Sequence, residues 1–328
     1  MRKEVYILEH LDLQKTISCM DTIISLRIYG ERAKYVFKKV KAELFKLEKK
    51  LSRFMRDSDI SRINHSAGKD YADISVETCD ILSDAIRLGV ITEGLFDITV
   101  APLADLWNYK NSFRVPLEDD IRSALSYVNY HDILLNSKNK TAALRRMGQA
   151  IDLGGIGKGY AGDRCIKILA EYGITSAFIS IGGNVSTLGN NPNGSRWCVG
   201  IQHPRDNNSL IGSVKVTDKA VVTSGDYERY FIDDYGNRRH HILSPVTGYP
   251  ADSGLISATV IYDNAVIADA LSTAVFIGGI EKGLSYMSCF PEAEAILVDK
   301  NLKIHITNGL KESFKASVDI EASDIIVL

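Results

Sequence analysis

Apolar and polar positions repeat along the chain with two periods, and these periods predict its helices and strands. Residues 31–51 and 76–90 repeat apolar side chains every three or four positions, which predicts two amphipathic helices. The first should carry a solvated, lysine-rich outer face, and the second should follow the N-cap Ser75. The face that the second helix should bury consists of Val76, Cys79, Leu82, Ile86 and Val90. Residues 22–30 alternate apolar and polar side chains, which predicts a strand.

The second half of the chain mixes short apolar runs with turn residues, which is typical of many short strands. Helices are predicted over residues 159–172 and 264–276. Strands are predicted over residues 133–135, 141–145, 150–153, 177–181, 197–202, 211–216, 230–232, 257–262, 295–298 and 303–306. Because helices and strands follow no regular βαβ period, an α+β fold is favoured over a doubly wound sheet.

Composition and charge restrict the class of protein. The chain has 328 residues, of which 45% are apolar and 24% charged, so it is not expected to be disordered. The net charge of -2 lacks the basic excess of a general nucleic-acid binder, so any bound anion must be held locally. The five cysteines are scattered and form no C-x-x-C pair, which argues against a structural zinc site. No signal peptide, lipid-anchor sequence or transmembrane run is evident, so a cytoplasmic protein is expected.

The most glycine-dense segment, DLGGIGKGYAG at residues 152–162, is a candidate anion site. It joins a predicted strand to a predicted helix, where backbone N–H groups and the helix dipole attract phosphate. The spacing excludes a P-loop, because Asp152 stands where that motif requires glycine. A dinucleotide-binding reading is weakened because no acidic residue follows in residues 177–184. Contact with phosphate or a metal–phosphate group, or tight packing alone, remains open.

Asp269 and Thr273 form a second candidate group in the apolar helix at residues 264–276. Residues four apart share a helix face, so a carboxylate and a hydroxyl would lie side by side. These oxygens suit a hard cation such as Mg²⁺. The alternative is a purely structural role, with an Asp near the helix N-terminus and a Thr whose hydroxyl bonds back to the helix backbone. His240 and His241 begin a third segment, where one imidazole could act as a base or simply end a surface strand.

Seven segments in order resemble the ApbE family of FAD:protein FMN transferases over nearly the whole chain. They follow Met20 and are LSRF at 51–54 with SDISRIN at 58–64, GLFDITVAPL at 94–103, the glycine-rich segment to 163, IGGN at 181–184, TSGDYER at 223–229, HILSPVTGYP at 241–250 and DALST at 269–273. The resemblance implies one α+β unit across residues 1–328, built from two T-fold-like halves, with the first ~15 residues peripheral.

The resemblance also implies a reaction: Mg²⁺-dependent transfer of the FMN moiety of FAD to a Thr or Ser hydroxyl of a target flavoprotein, with release of AMP. The acceptor is expected within an Asp-Gly/Ala-x-Ser/Thr-Thr motif. The metal ligands would be Asp269, Thr273 and the backbone carbonyl of Gly157. Flavin contacts, some through backbone atoms, are expected from Met20, Ser58, Asp97, Lys158, Tyr160, His241 and Ile242. His241 is the candidate base, with an aspartate as the alternative.

Three positions depart from the family pattern: Asp21 replaces a frequent Gly, Gly157 a frequent Ala, and Ser244 a common Asp or Asn. Other functions remain open. Water could attack in place of a protein hydroxyl, which would make the chain an FAD pyrophosphatase. A flavin-binding protein without turnover needs neither a metal nor a base, and an oxidoreductase would prefer NAD(P)H to FAD with Mg²⁺.

Overall fold

The computed structural model describes residues 12–109 and 111–328, and within them the chain forms seven α-helices and seventeen strands. The helices are α1 Ala33–Leu51, α2 Asp59–His65, α3 Val76–Ile91, α4 Ala101–Trp107, α5 Glu118–Leu125, α6 Gly157–Glu171 and α7 Ala265–Met287. The first seven strands are β1 Asp12–Cys19, β2 Thr22–Tyr29, β3 Ala72–Asp73, β4 Ile133–Asn136, β5 Thr141–Leu144, β6 Ser176–Ile181 and β7 Asn184–Leu188. The others are β8 Trp197–His203, β9 Asp206–Val216, β10 Ala220–Gly225, β11 Tyr230–Ile232, β12 Arg238–His240, β13 Leu255–Tyr262, β14 Glu294–Asp299, β15 Ile304–Ile306, β16 Phe314–Ala316 and β17 Ile325–Val327.

A nine-stranded sheet in the order β1-β2-β6-β7-β10-β13-β14-β15-β17 organises the molecule. Its first eight strands form two successive units. In each unit, two antiparallel strands are followed by a helical segment and then by a second antiparallel pair. The first unit is β1-β2, α1 to α6 and β6-β7, and the second is β10-β13, α7 and β14-β15. The α+β class expected from the sequence is confirmed. The two units meet where β7 pairs with β10.

The sheet is covered on both faces. Helices α1, α6 and α7 pack on one face, and the predicted apolar stripe of α1 is fully buried there, from Val36 to Leu51. On the other face a small sheet, β16-β9-β8, closes a second core around Trp197 and Val214. Burying both faces explains why β13 is buried continuously from Leu255 to Ile261 rather than at alternate positions.

Helix α3 begins where the sequence indicates but buries a different face from the predicted one. The Ser75 hydroxyl accepts a hydrogen bond from the Thr78 N–H at 3.3 Å, which confirms the N-cap. Val76 and Val90 are 47% and 58% exposed, so their assignment to the buried face was wrong. The helix packs instead through a face rotated toward Ile81, Ala85 and Leu88, because Cys79 and Leu82 satisfy both spacings.

Residues 150–153 do not form the predicted strand. The Asn64 side chain pairs with both backbone groups of Ile151: its Oδ1 accepts from the Ile151 N–H at 2.8 Å, and its Nδ2 donates to the Ile151 carbonyl at 3.0 Å. The Asp152 N–H donates to the Ile98 carbonyl at 2.8 Å. A side-chain amide therefore replaces a neighbouring strand as the partner of this apolar segment.

Helix α7 extends beyond the predicted end near residue 276, to Met287. Gly279 interrupts it with a backbone φ of 79° and ψ of -177°. Within the described residues, no helix has the length and apolar character needed to cross a membrane. Most of the peripheral N-terminal segment expected from the sequence lies outside those residues.

Candidate functional site

A cleft of about 1380 Å³ opens where the two units of the sheet meet. It is lined by the β1–β2 turn, the glycine-rich segment, the beginning of β7, the end of β10, the segment after β12, and one face of α7. Small-molecule sites usually occupy 300–1,000 Å³, so this cleft has room for a ligand larger than a single mononucleotide. All seven segments singled out in the sequence contribute a residue to its wall.

Asp269 is the buried acid of the cleft, with 3% of its surface exposed. Its Oδ2 accepts the Gly159 N–H of α6 at 2.8 Å, and its Oδ1 accepts the Asn184 amide of β7 at 2.9 Å. The Lys158 ammonium lies 3.7 Å from Oδ1. Two elements that are distant in sequence from α7, α6 and β7, thus hold its carboxylate in a fixed orientation. Each oxygen accepts one hydrogen bond and retains lone-pair capacity for a further ligand.

Hydroxyl groups lie one helical turn beyond this carboxylate. The Ser224 hydroxyl of β10 contacts Thr273 Oγ1 at 3.2 Å and Ser272 Oγ at 2.8 Å. Ser272 donates to the Asp269 carbonyl at 2.8 Å. The predicted pair Asp269 and Thr273 is therefore on one helix face, as the spacing requires. Ser224 of β10, which belongs to the same unit of the sheet, adds a further hydroxyl oxygen.

The N-terminus of α6 faces the same cleft. Its N-cap position, Ile156, supplies no side-chain hydrogen bond, and Gly155, Gly157 and Lys158 line the cleft or its edge. Lys158 Nζ donates to the Gly154 carbonyl at 3.1 Å, which folds the ammonium over the glycine loop. Backbone N–H groups, a helix N-terminus and an ammonium group are donors that suit an anion.

His241 lies across the cleft from α7. Its backbone N–H donates to the Arg229 carbonyl at 3.0 Å, and its buried Nδ1 has no partner among the described residues. Burial, reinforced by the charges of Arg229 and Lys158, lowers the pKa of His241 to about 3. The imidazole is therefore neutral near pH 7 and able to accept a proton. Adjacent His240 differs, because its Nε2 contacts the Ala251 carbonyl at 3.0 Å and its ring packs edge-on against Phe276.

Ser244 keeps the turn after His241 in shape, although it departs from the family pattern. Its hydroxyl accepts the N–H groups of Val246 at 3.2 Å and Thr247 at 3.3 Å. The Ser244 N–H donates to the Tyr249 carbonyl at 2.8 Å. An Asp or Asn side chain would cap the turn through an oxygen in the same way. The substitution thus leaves the support of His241 and Ile242 intact.

Met20 and Asp97 are also placed at the cleft. Met20 has a backbone φ of 57°, and its N–H donates to Glu48 Oε1 at 2.7 Å. Asp97 accepts from the Thr99 N–H at 2.7 Å and the Tyr130 N–H at 2.9 Å, while burial raises the pKa of this carboxyl. Its Oδ1 also accepts the Thr99 hydroxyl, so only Oδ2, which accepts one N–H group, keeps capacity for a further partner.

Ser58 and Tyr160 are the two predicted contacts whose side chains do not line the cleft. Ser58 is 1% exposed, and its hydroxyl caps α2 by accepting the Ser61 N–H at 2.9 Å. Tyr160 is 6% exposed and packs in the core beneath α6, where burial raises the pKa of its hydroxyl. Any contact that these residues make with a ligand must come through backbone atoms or through movement.

Three cleft residues had no assigned role in the sequence analysis: Asn184, Ser224 and Arg229. Asn184 ends the IGGN segment and orients Asp269, whereas Ser224 and Arg229 belong to TSGDYER. Their segments were recognised, but their partners lie 85 and 49 positions away for the first two. Only the strand order brings them together.

A metal site here would depend on oxygen atoms of mixed origin. Across residues 12–109 and 111–328, no group of three or more His, Cys, Asp and Glu side chains is arranged to hold an ion. Asp269 and Thr273 supply one carboxylate and one hydroxyl, and Gly157 can supply a backbone carbonyl. This donor set is all oxygen, which fits Mg²⁺ rather than zinc or copper.

Comparison with known proteins points to one family. The model of the ApbE family matches residues 20–297. The chain is 34% identical over 300 residues to an FAD:protein FMN transferase of Klebsiella pneumoniae, covering 90% of this chain and 92% of that protein. It is 30% identical over 310 residues to an FAD:protein FMN transferase of Treponema pallidum, covering 88% and 85% of the two chains.

Solved structures show the same fold. The ApbE protein from Thermotoga maritima superposes with a TM-score of 0.84 at 31% identity, covering 92% of this chain and 98% of that one. The flavin transferase ApbE from Vibrio cholerae superposes with a TM-score of 0.80 at 25% identity, covering 94% and 97%. The similarity extends over nearly the full length of each protein.

Proposed function

The chain belongs to the ApbE family, and from that premise we propose that it is an FAD:protein FMN transferase. It transfers the FMN moiety of FAD to a Thr or Ser hydroxyl of a target flavoprotein and releases AMP. The observation that supports this most directly is the convergence of Asp269, Thr273, His241 and the N-terminus of α6 on one cleft. An acid, hydroxyl groups, a neutral base and phosphate-binding donors are the groups that phosphoryl transfer requires.

The diphosphate of FAD needs local neutralisation, because the chain carries a net charge of -2. The side chains of Lys158 and Arg229 can bind it, together with the Lys158 N–H, which has no partner among the described residues at the start of α6. Asp269, Thr273 and the Gly157 carbonyl would hold Mg²⁺, which supplies charge stabilisation for the leaving phosphate. This assignment follows from the donor chemistry and from the lone pairs that the hydrogen bonds of Asp269 leave available.

The acceptor hydroxyl attacks the phosphorus on the FMN side of the diphosphate. A new P–O bond to Thr or Ser forms, the bond to the AMP oxygen breaks, and the hydroxyl proton passes to His241. Before a ligand binds, the imidazole of His241 has a pKa of about 3 and is therefore a weak base. A bound diphosphate offsets the charges of Arg229 and Lys158, which lower the pKa of His241 less than burial does, and therefore raises this pKa.

The test combines the purified protein, FAD and Mg²⁺ with a carrier protein bearing an Asp-Gly-Ala-Ser-Thr segment. We expect the carrier to gain the mass of FMN less water, with one AMP released for each adduct. A carrier whose final Thr is replaced by Val should gain nothing. AMP and free FMN without an adduct would instead identify an FAD pyrophosphatase, and no AMP at all would indicate a flavin-binding protein without turnover.

His241→Ala should slow the transfer by roughly 10²–10⁴-fold while FAD still binds, because a general base contributes about that much. His240→Gln is the matched control, since His240 makes structural contacts. The control should lower the melting temperature and leave the transfer rate of the folded enzyme close to that of the wild type. Equal rates in wild type and His241→Ala would place the base elsewhere.

The cytoplasmic location expected from the sequence stays a prediction.

A further inference from the structure

Strand β10 extends past one of its two neighbours. On one side β13 pairs with it along its whole length, from Ala220 to Gly225. On the other side β7 pairs only with Ala220 and Val221, because β7 begins at Asn184 after a tight turn through two glycines with positive φ. Among the residues that the structure describes, Thr223–Gly225 has no strand on this side, so the sheet is open there.

The direction of the backbone groups in this open segment follows from the hydrogen bonds around it. The Asp226 N–H donates to the Ile256 carbonyl at 3.2 Å, and the Thr187 N–H donates to the Lys219 carbonyl at 3.0 Å. Because bonding directions alternate along an antiparallel strand, Ser224 faces β13, and Thr223 and Gly225 face the open side. Two N–H and two C=O groups are therefore presented there, without a partner in the described part of the chain.

This open edge lies at the candidate site itself. Thr223, Ser224 and Gly225 all line the cleft, and the Ser224 hydroxyl is 3.2 Å from Thr273 Oγ1. The ring of Tyr227 packs directly against Gly225, where a Cβ would come within 2.3 Å of its Cε1. Tyr227 thus forms a wall beside the edge and covers Gly225, which is buried, whereas Thr223 and Ser224 are half-buried.

We propose that the acceptor segment of the target protein binds as an added strand on Thr223–Gly225, in the place that a longer β7 would occupy. The proposal rests on the proposed transferase function. An extended peptide matches the alternating donors and acceptors, which repeat every ~6.8 Å along a strand. A diphosphate could use the two N–H groups but would leave both carbonyls unpaired. The added strand brings the acceptor hydroxyl beside Asp269 and Thr273.

An ester scan of the acceptor tests this pairing. A 15-residue peptide with a central Asp-Gly-Ala-Ser-Thr sequence is made in versions that replace one backbone N–H at a time by an ester oxygen. Strand addition predicts that kcat/KM for FMN adduct formation falls about 2- to 10-fold at two positions that are two residues apart, because the edge offers two carbonyl groups, and changes little at the other positions. A flat profile, or one without this two-residue period, would overturn the proposal. If the unmodified peptide forms no adduct, the transferase function itself fails, which is a separate result.

A pair of enzyme variants tests the other side of the contact. Thr223→Pro removes the N–H that faces the open edge together with the hydroxyl that contacts Thr259, whereas Thr223→Val removes only the hydroxyl. Relative to Thr223→Val, the proline variant should raise KM for the peptide about 2- to 10-fold with an unchanged Kd for FAD. A weakened Kd for FAD with an unchanged peptide KM would assign the edge to the flavin and contradict the proposal. If the proline variant does not fold, the ester scan decides the question alone.

Discussion

The first turns of α6 and α7 pack against each other, and their N–H groups are satisfied to different extents. At α7, every donor of the first turn has a partner: Asp163 accepts from Ala265 and Val266, and Asn264 accepts from Ile267. At α6 the N-cap residue supplies no side-chain hydrogen bond. The Gly157 N–H donates to the Leu153 carbonyl and the Gly159 N–H to Asp269, so the Lys158 N–H has no partner among the described residues. The first turn of α7 serves the fold, whereas that of α6 leaves one N–H group available to a ligand at the cleft.

Each of these two helices also supplies an acidic side chain that accepts hydrogen bonds from backbone N–H groups of the other helix. Asp163 of α6 caps α7, while Asp269 of α7 accepts the Gly159 N–H of α6. Both carboxylates are held by backbone donors of the partner helix, yet only Asp269 opens onto the cleft. A similar hydrogen-bonding pattern thus supports two different roles, and solvent access decides between them. The following predictions separate these roles, from the largest expected effect to the smallest.

Asp269→Ala should reduce Mg²⁺-dependent turnover to background, because it removes the carboxylate of the proposed metal site. FAD should still bind, more weakly, which fluorescence titration measures. Asp163→Ala is the matched control in the partner helix, and it should lower stability while the folded fraction keeps its turnover. Wild-type turnover in Asp269→Ala would remove the metal assignment.

Gly159→Ala should disrupt the contact between the helices. An added Cβ would lie 2.2 Å from the Ala265 carbonyl oxygen and 2.8 Å from Asp269 Cβ. We expect a loss of about 1–3 kcal/mol in the free energy of unfolding and a displaced Asp269. Gly157→Ala is the control, because its Cβ would meet nothing closer than 3.9 Å, and its unfolding free energy should not decrease. Urea titration of both variants gives the comparison, and equal losses would contradict it.

The pH dependence of stability should differ between wild type and Asp163→Asn. Burial, aided by Asp84 and Asp263, raises the pKa of Asp163 from its ordinary value of 3.8 to about 6. The folded state then binds the proton more tightly than the unfolded state, so this group's contribution falls as pH rises from about 4 to above 6. Relative to the Asn variant, wild type should lose about 2 kcal/mol between pH 4 and pH 7.5. A pH-independent difference in unfolding free energy would show that Asp163 titrates normally.

Asn264→Ala should have the smallest effect, about 1 kcal/mol, because it removes one N-cap hydrogen bond of 2.9 Å at a site remote from the chemistry. Thermal unfolding measures the loss, and the turnover of the folded enzyme serves as the control. A large decrease in turnover would mean that the capped end of α7 also positions Asp269.

The sequence allowed the long elements to be predicted because their patterns are local. The stripe of α1 and the N-cap of α3 involve close neighbours in the chain. The buried face of α3 could not be resolved, because Cys79 and Leu82 fit two helical faces equally well. Residues 150–153 have strand composition, but their partner is the amide of Asn64, 87 positions away.

The candidate site shows the same division. The i, i+4 relation of Asp269 and Thr273 is local and was predictable from spacing. The contacts of Asn184 and Ser224 with α7 depend on the order of strands in the sheet, which periodicity does not encode. Resemblance to a family identified the segments, but it could not distinguish the buried cap Ser58 from residues that line the cleft. The roles assigned to the individual residues stay predictions.

The seam between β7 and β10 links ligand binding to the cooperativity of the molecule. Asn184 belongs to the first unit, and Ser224, Asp269 and Thr273 belong to the second, so neither unit alone contains the site. A ligand in the cleft therefore binds only the assembled pair and adds its binding free energy to their association. At a concentration 100-fold above Kd this linkage amounts to about 2.7 kcal/mol, enough to make separation of the units roughly a hundredfold rarer. Substrate binding thus stabilises the pairing of β7 with β10, which is the shortest in the nine-stranded sheet.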